Sequence, residues 1–249
     1  MTDGLLLLHA FPLDATMWSP QVSAFERDVP VAAPNLPGFG DMSPAGPLTS
    51  MDEGADVADE ELAARGIDRA VVCGLSMGGY VAFSFWRRHR DRVLGLVLAN
   101  TKAGADDDAG RERRRTLAAR LREEGNGFLV DGPPPLLSSK APQELWARVK
   151  DMIQEQPAGS IAAASTSMAD RSDSTPDLAT IDVPTLVITS TGDTLIPPEV
   201  TKPMAGQIPG ARLEVIEGAG HLSNLESPEE FNRFLREHLI RCGLLRGSS

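Results

Sequence analysis

A serine flanked by glycines constrains the fold of this chain more than any other feature of its sequence. An apolar run ending at Cys73 leads directly into Gly74-Leu-Ser76-Met-Gly78, and a helical segment follows. Gly-x-Ser-x-Gly in this context forms a sharp strand-to-helix turn, because glycines two residues before and after the serine leave space that a Cβ would fill. The motif therefore predicts a buried strand, a tight turn and a helix, with the Ser76 hydroxyl raised clear of a sheet.

Ser76 in such a turn is a candidate nucleophile. The turn places the next backbone N–H, that of Met77, at a helix N-terminus, where free donors and the helix dipole favour an oxyanion. A serine hydroxyl is a poor nucleophile at neutral pH, so it needs a base to remove its proton. The alternative interpretation is a glycine-rich turn whose serine is idle.

His221 is the predicted base among the four histidines. It follows Gly218-Ala-Gly in a loop between the last predicted strand and the last predicted helix. His89 and His238 lie in helical segments among charged residues, so we expect them at the surface. His9 ends the first strand, and the loop that follows it is expected to supply an oxyanion donor. The alternative for His221 is a loop histidine whose polar atoms are satisfied by its neighbours.

Asp193 is the predicted partner of the base, since an imidazole acting as base needs a carboxylate to fix its tautomer. Asp193 ends Ser-Thr-Gly-Asp, directly after a predicted strand, and the chain order Ser76, Asp193, His221 is the one expected for this strand-to-helix motif. An acid that caps the following turn is the alternative. Weaker candidates, because none of them ends a strand, are Asp170, Asp173 and Asp182.

The loop after the first strand, His9-Ala-Phe11-Pro12, is expected to supply a second oxyanion donor. We assign this role to the backbone N–H of Phe11, since Pro12 has no N–H to donate. The Phe11 ring and the nearby Trp18 are candidates for the substrate pocket, with a place in the core as the alternative.

Apolar runs without alternation, separated by helical segments, predict parallel strands that are buried on both faces. Right-handed crossovers between such strands give an α/β fold with a doubly wound, mostly parallel sheet and helices on both faces. The predicted strands are Leu5 to His9, Val29 to Ala33, Ala70 to Cys73, Val93 to Ala99, Thr185 to Thr189 and Arg212 to Ile216.

The strand pattern stops between residues 103 and 182, where helical periodicity replaces it. We therefore expect residues 1–102 and 183–245 to form the core domain, and residues 103–182 to form a helical lid or cap inserted over the ligand crevice. The arginine-rich stretch 111–122 within the insertion is predicted to be a solvated helix face.

The charge balance bears on possible partners. The chain has 24 Lys and Arg against 35 Asp and Glu, a formal net charge of -11, which repels phosphate backbones and anionic membrane surfaces. No run approaches the roughly 20 apolar residues of a membrane-spanning helix. Cys73 and Cys242 are the two cysteines, and they have no metal-ligand spacing. We expect a soluble, cytoplasmic protein that binds neither nucleic acid, membrane nor metal.

The chain resembles the α/β-hydrolase superfamily through five motifs in the expected order. Within the superfamily it is similar to small single-lid esterases and 3-oxoadipate enol-lactonases, through Gly74 to Gly79 and the stretch Met168 to Asp173. The five motifs are His9 to Asp14, Leu36 to Gly40, Gly74 to Gly78, Gly192-Asp193 and Gly218 to His221.

The resemblance implies a serine hydrolase that needs neither a metal nor an organic cofactor. Dehalogenases and epoxide hydrolases of this fold carry an aspartate at the position of Ser76, so the resemblance excludes their chemistry. Two departures stand out: Ala10 replaces the common glycine after His9, and only four residues precede Leu5, which predicts a sheet of about six strands without the usual opening hairpin.

The leading expectation is a carboxylesterase acting on small to medium acyl esters through an acyl-enzyme on Ser76. The first alternative is a lactonase of the 3-oxoadipate enol-lactonase type, whose anionic substrate would need a cation such as Arg171 or an arginine of the lid. Perhydrolysis is a conceivable side reaction, because peroxide can intercept the same acyl-enzyme. The alternative of another class is a ligand-binding protein of this fold without catalysis.

Overall fold

Six parallel strands form the single sheet of the computed structural model, which describes residues 1–247. The strand order is β2-β1-β3-β4-β5-β6, and every neighbouring pair is parallel. This confirms the expected parallel α/β sheet of six strands. The strands are β1 (Asp3–Leu8), β2 (Val31–Ala32), β3 (Arg69–Leu75), β4 (Val93–Ala99), β5 (Thr185–Ser190) and β6 (Arg212–Ile216).

The helices cover both faces of the sheet or connect β4 to β5. The described residues form ten α-helices: α1 (Ser19–Phe25), α2 (Met51–Ala64), α3 (Met77–Arg88), α4 (Asp108–Glu124), α5 (Gly127–Asp131), α6 (Gln143–Glu155), α7 (Ala158–Ala169), α8 (Pro198–Gln207), α9 (Ser223–Glu226) and α10 (Pro228–Arg241). Short 3-10 turns cover Ala15–Trp18, Gly40–Ala45, Arg90–Arg92 and Thr175–Thr180.

The central strands are buried on both faces, as their unbroken apolar sequences predict. Leu5 to Leu8 of β1 are fully buried, and β3 is buried from Ala70 onward. The edge strand β2 is shorter than expected, since Pro30 and Pro34 bracket it and proline has no N–H for a ladder hydrogen bond.

Parallel pairing brings the carboxyl ends of four strands to one edge of the sheet. Leu8 of β1 pairs with Gly74 of β3, Gly74 pairs with Leu98 of β4, and Ala99 pairs with Ile188 of β5. The residues that follow these strands therefore meet at one place. In parallel α/β sheets this edge is where ligands bind.

The connection from β4 to β5 contains α4, α5, α6 and α7 and no strand among its residues. Helix α4 packs along α7, and a hydrogen bond from Ser165 Oγ to the Arg114 carbonyl (2.9 Å) joins them. The division of the chain into a core and a lid stays a prediction. No helix within residues 1–247 has the length and apolar character needed to cross a bilayer.

Candidate active site

Ser76 occupies a strained turn between β3 and α3. Its φ is +56° and ψ is -112°, a conformation that non-glycine residues rarely adopt. A Cβ added to Gly74 would lie 2.2 Å from the Gly78 carbonyl oxygen, and one added to Gly78 would lie 2.0 Å from the Leu8 carbonyl oxygen. Both glycines are therefore required by close backbone packing. The turn leaves Ser76 at the wall of a cavity.

His221 and Asp193 are joined by a buried hydrogen bond. Asp193 Oδ2 lies 2.8 Å from His221 Nδ1, and Asp193 Oδ1 accepts the N–H groups of Leu195 (2.9 Å) and Ile196 (3.0 Å). Burial alone would raise the pKa of Asp193, but the hydrogen bond and charge of His221, together with the other donors, hold it below its usual value. Asp193 is thus an ionised acceptor that orients the imidazole.

Ser76 and His221 line the same cavity, while Asp193 lies behind His221. No hydrogen bond joins Ser76 Oγ to the imidazole in the described part of the chain. Hydrogen bonds between catalytic groups often tighten only in the substrate complex. The structure therefore brings the three predicted residues together in the predicted order, and their catalytic roles remain proposals.

Two backbone amides are candidates for an oxyanion site, one directly after Ser76 and one in the loop after β1. Met77 is the first residue of α3, and Phe11 lines the cavity in the loop after β1, where its bond to Pro12 is cis. Within residues 1–247 neither the Phe11 nor the Met77 N–H donates to another group of the chain. Unused donors at a helix N-terminus and a neighbouring loop are suited to stabilise an oxyanion.

The cavity has a volume of about 410 Å³ and combines apolar walls with a charged side. This size is typical of small-molecule sites. The apolar walls come from Leu117, Leu129, Leu136, Met168, Ile196 and Val200. The charged side consists of Lys102, Asp106, Arg113 and Arg114.

Asp106, on this charged side, forms ion pairs with three cations. Its carboxylate bonds Lys102 Nζ (2.8 Å), the Arg114 guanidinium and the Arg171 guanidinium (3.0 Å). Burial would raise the pKa of Asp106, but hydrogen bonds from Arg171, Lys102 and Arg114 outweigh it and hold the pKa far below its usual range. Sequence reasoning missed this cluster, since its members come from two loops and helix α4, which no motif connects.

Trp18 and Arg171, the predicted pocket residues, do not line the cavity. Trp18 is fully buried, and its ring centroid lies 5.9 Å from that of Phe231 on α10. Arg171 is buried one layer behind the wall, where it bonds the Met168 carbonyl (2.7 Å) and lies 4.1 Å above the Tyr80 ring. Trp18 therefore lies in the core, and Arg171 lies in an ion pair with Asp106.

The other three histidines lie away from the cavity, and one of them corrects an expectation. His238, expected at the surface, is 1% exposed on α10, and burial followed by the charges of Arg241 and Arg212 lowers its pKa to about 4. His89 is half-buried and bonds Asp56 (2.8 Å). His9 is fully buried, and its Nε2 accepts the Leu36 N–H (3.0 Å).

The arginine-rich face of α4 is only partly solvated, because Arg113 and Arg114 border the cavity.

Another residue that the sequence reasoning missed is Asn100, which follows β4 and donates to Asp193 (2.9 Å). The sequence signal for Asn100 was a polar residue directly after a buried strand.

Within residues 1–247, no group of three His, Cys, Asp or Glu side chains could hold a metal ion.

A parallel sheet with a serine at a strand-to-helix turn, and a histidine–carboxylate pair at the same edge, defines the α/β-hydrolase class. The family model described as "Alpha/beta hydrolase family" matches residues 5–234. The chain belongs to this family. Its relatives include esterases and lactonases.

Three similar proteins illustrate this range. The pimeloyl-[acyl-carrier protein] methyl ester esterase of Aromatoleum aromaticum is 29% identical, over 91% of this chain and 94% of its own. 3-Oxoadipate enol-lactonase 1 of Acinetobacter baylyi is 30% identical, over 92% and 85%. A thermophilic esterase from Thermogutta terrifontis, solved with malate bound, is 37% identical with a TM-score of 0.90, over 97% and 90%.

Proposed function

We propose that this protein hydrolyses carboxylic esters through an acyl-enzyme on Ser76. The observation that carries the proposal is the 2.8 Å contact between Asp193 and His221 Nδ1, which leaves the other imidazole nitrogen for the cavity that Ser76 also lines. Esterase-type relatives over nearly the whole chain support it.

The proposed reaction has two halves. His221 Nε2 accepts the Ser76 proton as Oγ attacks the ester carbonyl carbon, and the Phe11 and Met77 amides stabilise the oxyanion. The tetrahedral intermediate collapses, and His221 gives its proton to the departing alcohol. A water molecule, deprotonated by His221, then attacks the acyl-serine, and the carboxylic acid leaves with Ser76 restored.

The cavity suits acyl groups of small to medium size. A volume of about 410 Å³ with mainly aliphatic walls favours a short apolar chain over a long lipid tail. We expect chromogenic esters of graded acyl length to show a maximum in kcat/KM at short to intermediate chains.

The test compares Ser76→Ala with Ser84→Ala, a buried serine two turns further along α3 that does not line the cavity. We expect kcat of Ser76→Ala to fall by about 10⁴-fold or more, whereas Ser84→Ala keeps near-normal turnover. Ester hydrolysis that survives Ser76→Ala undiminished would refute the proposal. A wild-type protein that binds esters without turnover would instead support the ligand-binding alternative.

A second candidate is hydrolysis of a lactone or ester that carries a carboxylate. The specific observation is an excess of cations at the cavity: Lys102 and Arg114 share Asp106, and Arg113 has no ion pair within residues 1–247. In a chain of net charge -11, this local excess favours an anionic substrate. An enol-lactonase relative and a malate-bound structural neighbour agree with it.

Paired substrates separate the two candidates. Monomethyl adipate carries the carboxylate that methyl hexanoate lacks, and adipate itself serves as a competitive inhibitor. A lower KM for the monoester, together with inhibition by adipate, supports the second candidate. Equal KM values and no inhibition by adipate would leave the simple carboxylesterase.

A further inference from the structure

Asn100 lies at the strand end between Ser76 and Asp193. It follows β4 directly, it is fully buried, and its backbone N–H donates to the Ile188 carbonyl (2.8 Å). Its φ of +44° is in the left-handed region, which asparagine, aspartate and glycine tolerate best. The backbone therefore restricts which residues fit here before any side-chain contact is considered.

Every polar atom of the Asn100 side chain has a partner. Nδ2 donates to Asp193 Oδ2 (2.9 Å) and to Ser190 Oγ (2.7 Å), and Oδ1 accepts the Ser223 hydroxyl (2.6 Å). Asn100 thus connects β5 and the Asp193 that follows it with α9, which begins two residues after His221. A fully satisfied buried amide holds its neighbours in one arrangement.

The proton inventory fixes the orientation of this amide. Ser190 Oγ has a single proton, and it donates that proton to the Gly220 carbonyl (2.6 Å), so it can only accept from Asn100. The nitrogen of the amide must then face Ser190 and Asp193. The reversed amide would place an oxygen against the Asp193 carboxylate, which is repulsive.

We propose that Asn100 is a positioning residue for the histidine–carboxylate pair, an inference that rests on the proposed function. His221 and Asn100 donate to the same oxygen of Asp193, while the backbone amides of Leu195 and Ile196 hold the other oxygen. These contacts fix the plane of the carboxylate and aim it at His221. Asn100 does not border the cavity, so it acts through Asp193 and not on substrate.

Two consequences distinguish positioning from a purely structural role. Loss of the Asn100 donor loosens Asp193 and lowers kcat, while KM stays unchanged because no cavity contact is lost. Asp193 also becomes a stronger acceptor once the competing amide is gone. Asp193 then stabilises protonated His221 more strongly, so the acid limb of the pH profile of kcat/KM moves to higher pH.

Two variants test this with substitutions that the backbone accepts. Asn100→Gly tolerates the positive φ and removes the donor, and we expect kcat to fall about tenfold, as for loss of a hydrogen bond to a charged group. Asn100→Asp keeps the shape but places a second carboxylate beside Asp193, so we expect a loss of about a hundredfold. In both, KM should stay within about twofold and the acid limb should move to higher pH.

The matched control is Asn224→Ala. Asn224 is equally buried and also donates two hydrogen bonds, to the Met17 carbonyl (3.0 Å) and Gln21 Oε1 (3.1 Å), but it does not contact Asp193. We expect a lower melting temperature with unchanged kcat and pH profile.

Three outcomes separate the claims. A reduced kcat and a shifted acid limb that occur in the Asn100 variants but not in Asn224→Ala support positioning. Asn100 variants that match Asn224→Ala in melting temperature, kcat and pH profile overturn it, even if Ser76→Ala is inactive. An active Ser76→Ala would overturn the proposed function itself, whatever the Asn100 variants show.

Discussion

The two walls of the cavity are built differently. On one wall, Ser76, Asp193 and His221 follow strands of the sheet, and backbone amides and side-chain hydrogen bonds hold the Asp193 carboxylate. On the other wall, α4, α5 and α7 present aliphatic side chains, and α4 and the loop before it place cations around Asp106. The strand-end wall is suited to fixed chemistry, and the helical wall to a choice of substrate.

This difference has a physical origin. The register of a parallel sheet fixes strand ends relative to one another, so groups placed there keep their geometry. Helices in a connecting segment are held by side-chain packing and ion pairs, which tolerate exchange of residues. We therefore expect loss of a polar group on the strand-end wall to lower kcat and an added atom there to lower stability. Changes on the helical wall should affect stability or KM without abolishing turnover.

The largest expected effect is that of Asp193→Asn on the strand-end wall. The substitution keeps the size of the side chain but favours the wrong imidazole tautomer, so we expect kcat to fall about 10⁴-fold. The control is Asp182→Asn, an exposed aspartate just before β5 that bonds Arg90. Near-normal turnover in Asp193→Asn would show that this wall does not carry the chemistry.

A pair of glycines compares the walls by packing. In Gly78→Ala the new Cβ would meet the Leu8 carbonyl oxygen at 2.0 Å, and we expect a loss of about 3 kcal/mol in the free energy of unfolding. In Gly159→Ala, on α7, the Cβ enters open space, and we expect a gain of about 0.5 kcal/mol. Urea unfolding measures both. Equal responses would contradict the difference in rigidity.

On the helical wall, Asp106→Asn should lower stability without abolishing turnover. We expect a loss of about 2 kcal/mol at pH 7, less than for a fully buried pair because Lys102 and Arg114 are partly exposed. The folded-state pKa of Asp106 lies below its unfolded value, so its contribution is complete above about pH 4 and is lost as the pH falls further. Urea midpoints of both proteins should converge in that acidic range, and a constant difference would contradict this.

The smallest expected effect is that of Arg113→Gln on substrate choice. If Arg113 binds a substrate carboxylate, KM for monomethyl adipate should rise about tenfold, while KM for methyl hexanoate stays unchanged. Arg122→Gln, an exposed arginine of the same helix that does not border the cavity, is the control. Equal responses of both esters would assign Arg113 to the solvated face of α4.

The difference between the strand-end wall and the helical wall also explains which parts of the site could be predicted from the sequence. Ser76, Asp193 and His221 each end a strand or follow one within a short glycine-containing motif, so local pattern and parallel pairing were sufficient to place them together. The five predicted runs other than the proline-bracketed edge strand have nearly their observed bounds. The expected six-stranded sheet is confirmed.

The failures depend on packing that local pattern does not encode. Trp18 turns toward α10, and His238 turns inward although charged residues surround it in the sequence. The rotation of α4, which brings Arg113 and Arg114 to the cavity, follows from its contact with α7. Asn100 has a clear place after a strand, but its role becomes evident only from the hydrogen bonds that surround it.

Covalent labelling tests the central claim, an Asp193–His221 pair that activates Ser76, most directly. The protein is incubated with a fluorophosphonate, and intact mass and peptide mapping follow the adduct over time. The account predicts one adduct per chain on Ser76, none in Ser76→Ala, and labelling slowed by about a thousandfold or more in His221→Ala. An adduct on another residue, or Ser76 labelling at an undiminished rate in His221→Ala, would contradict it.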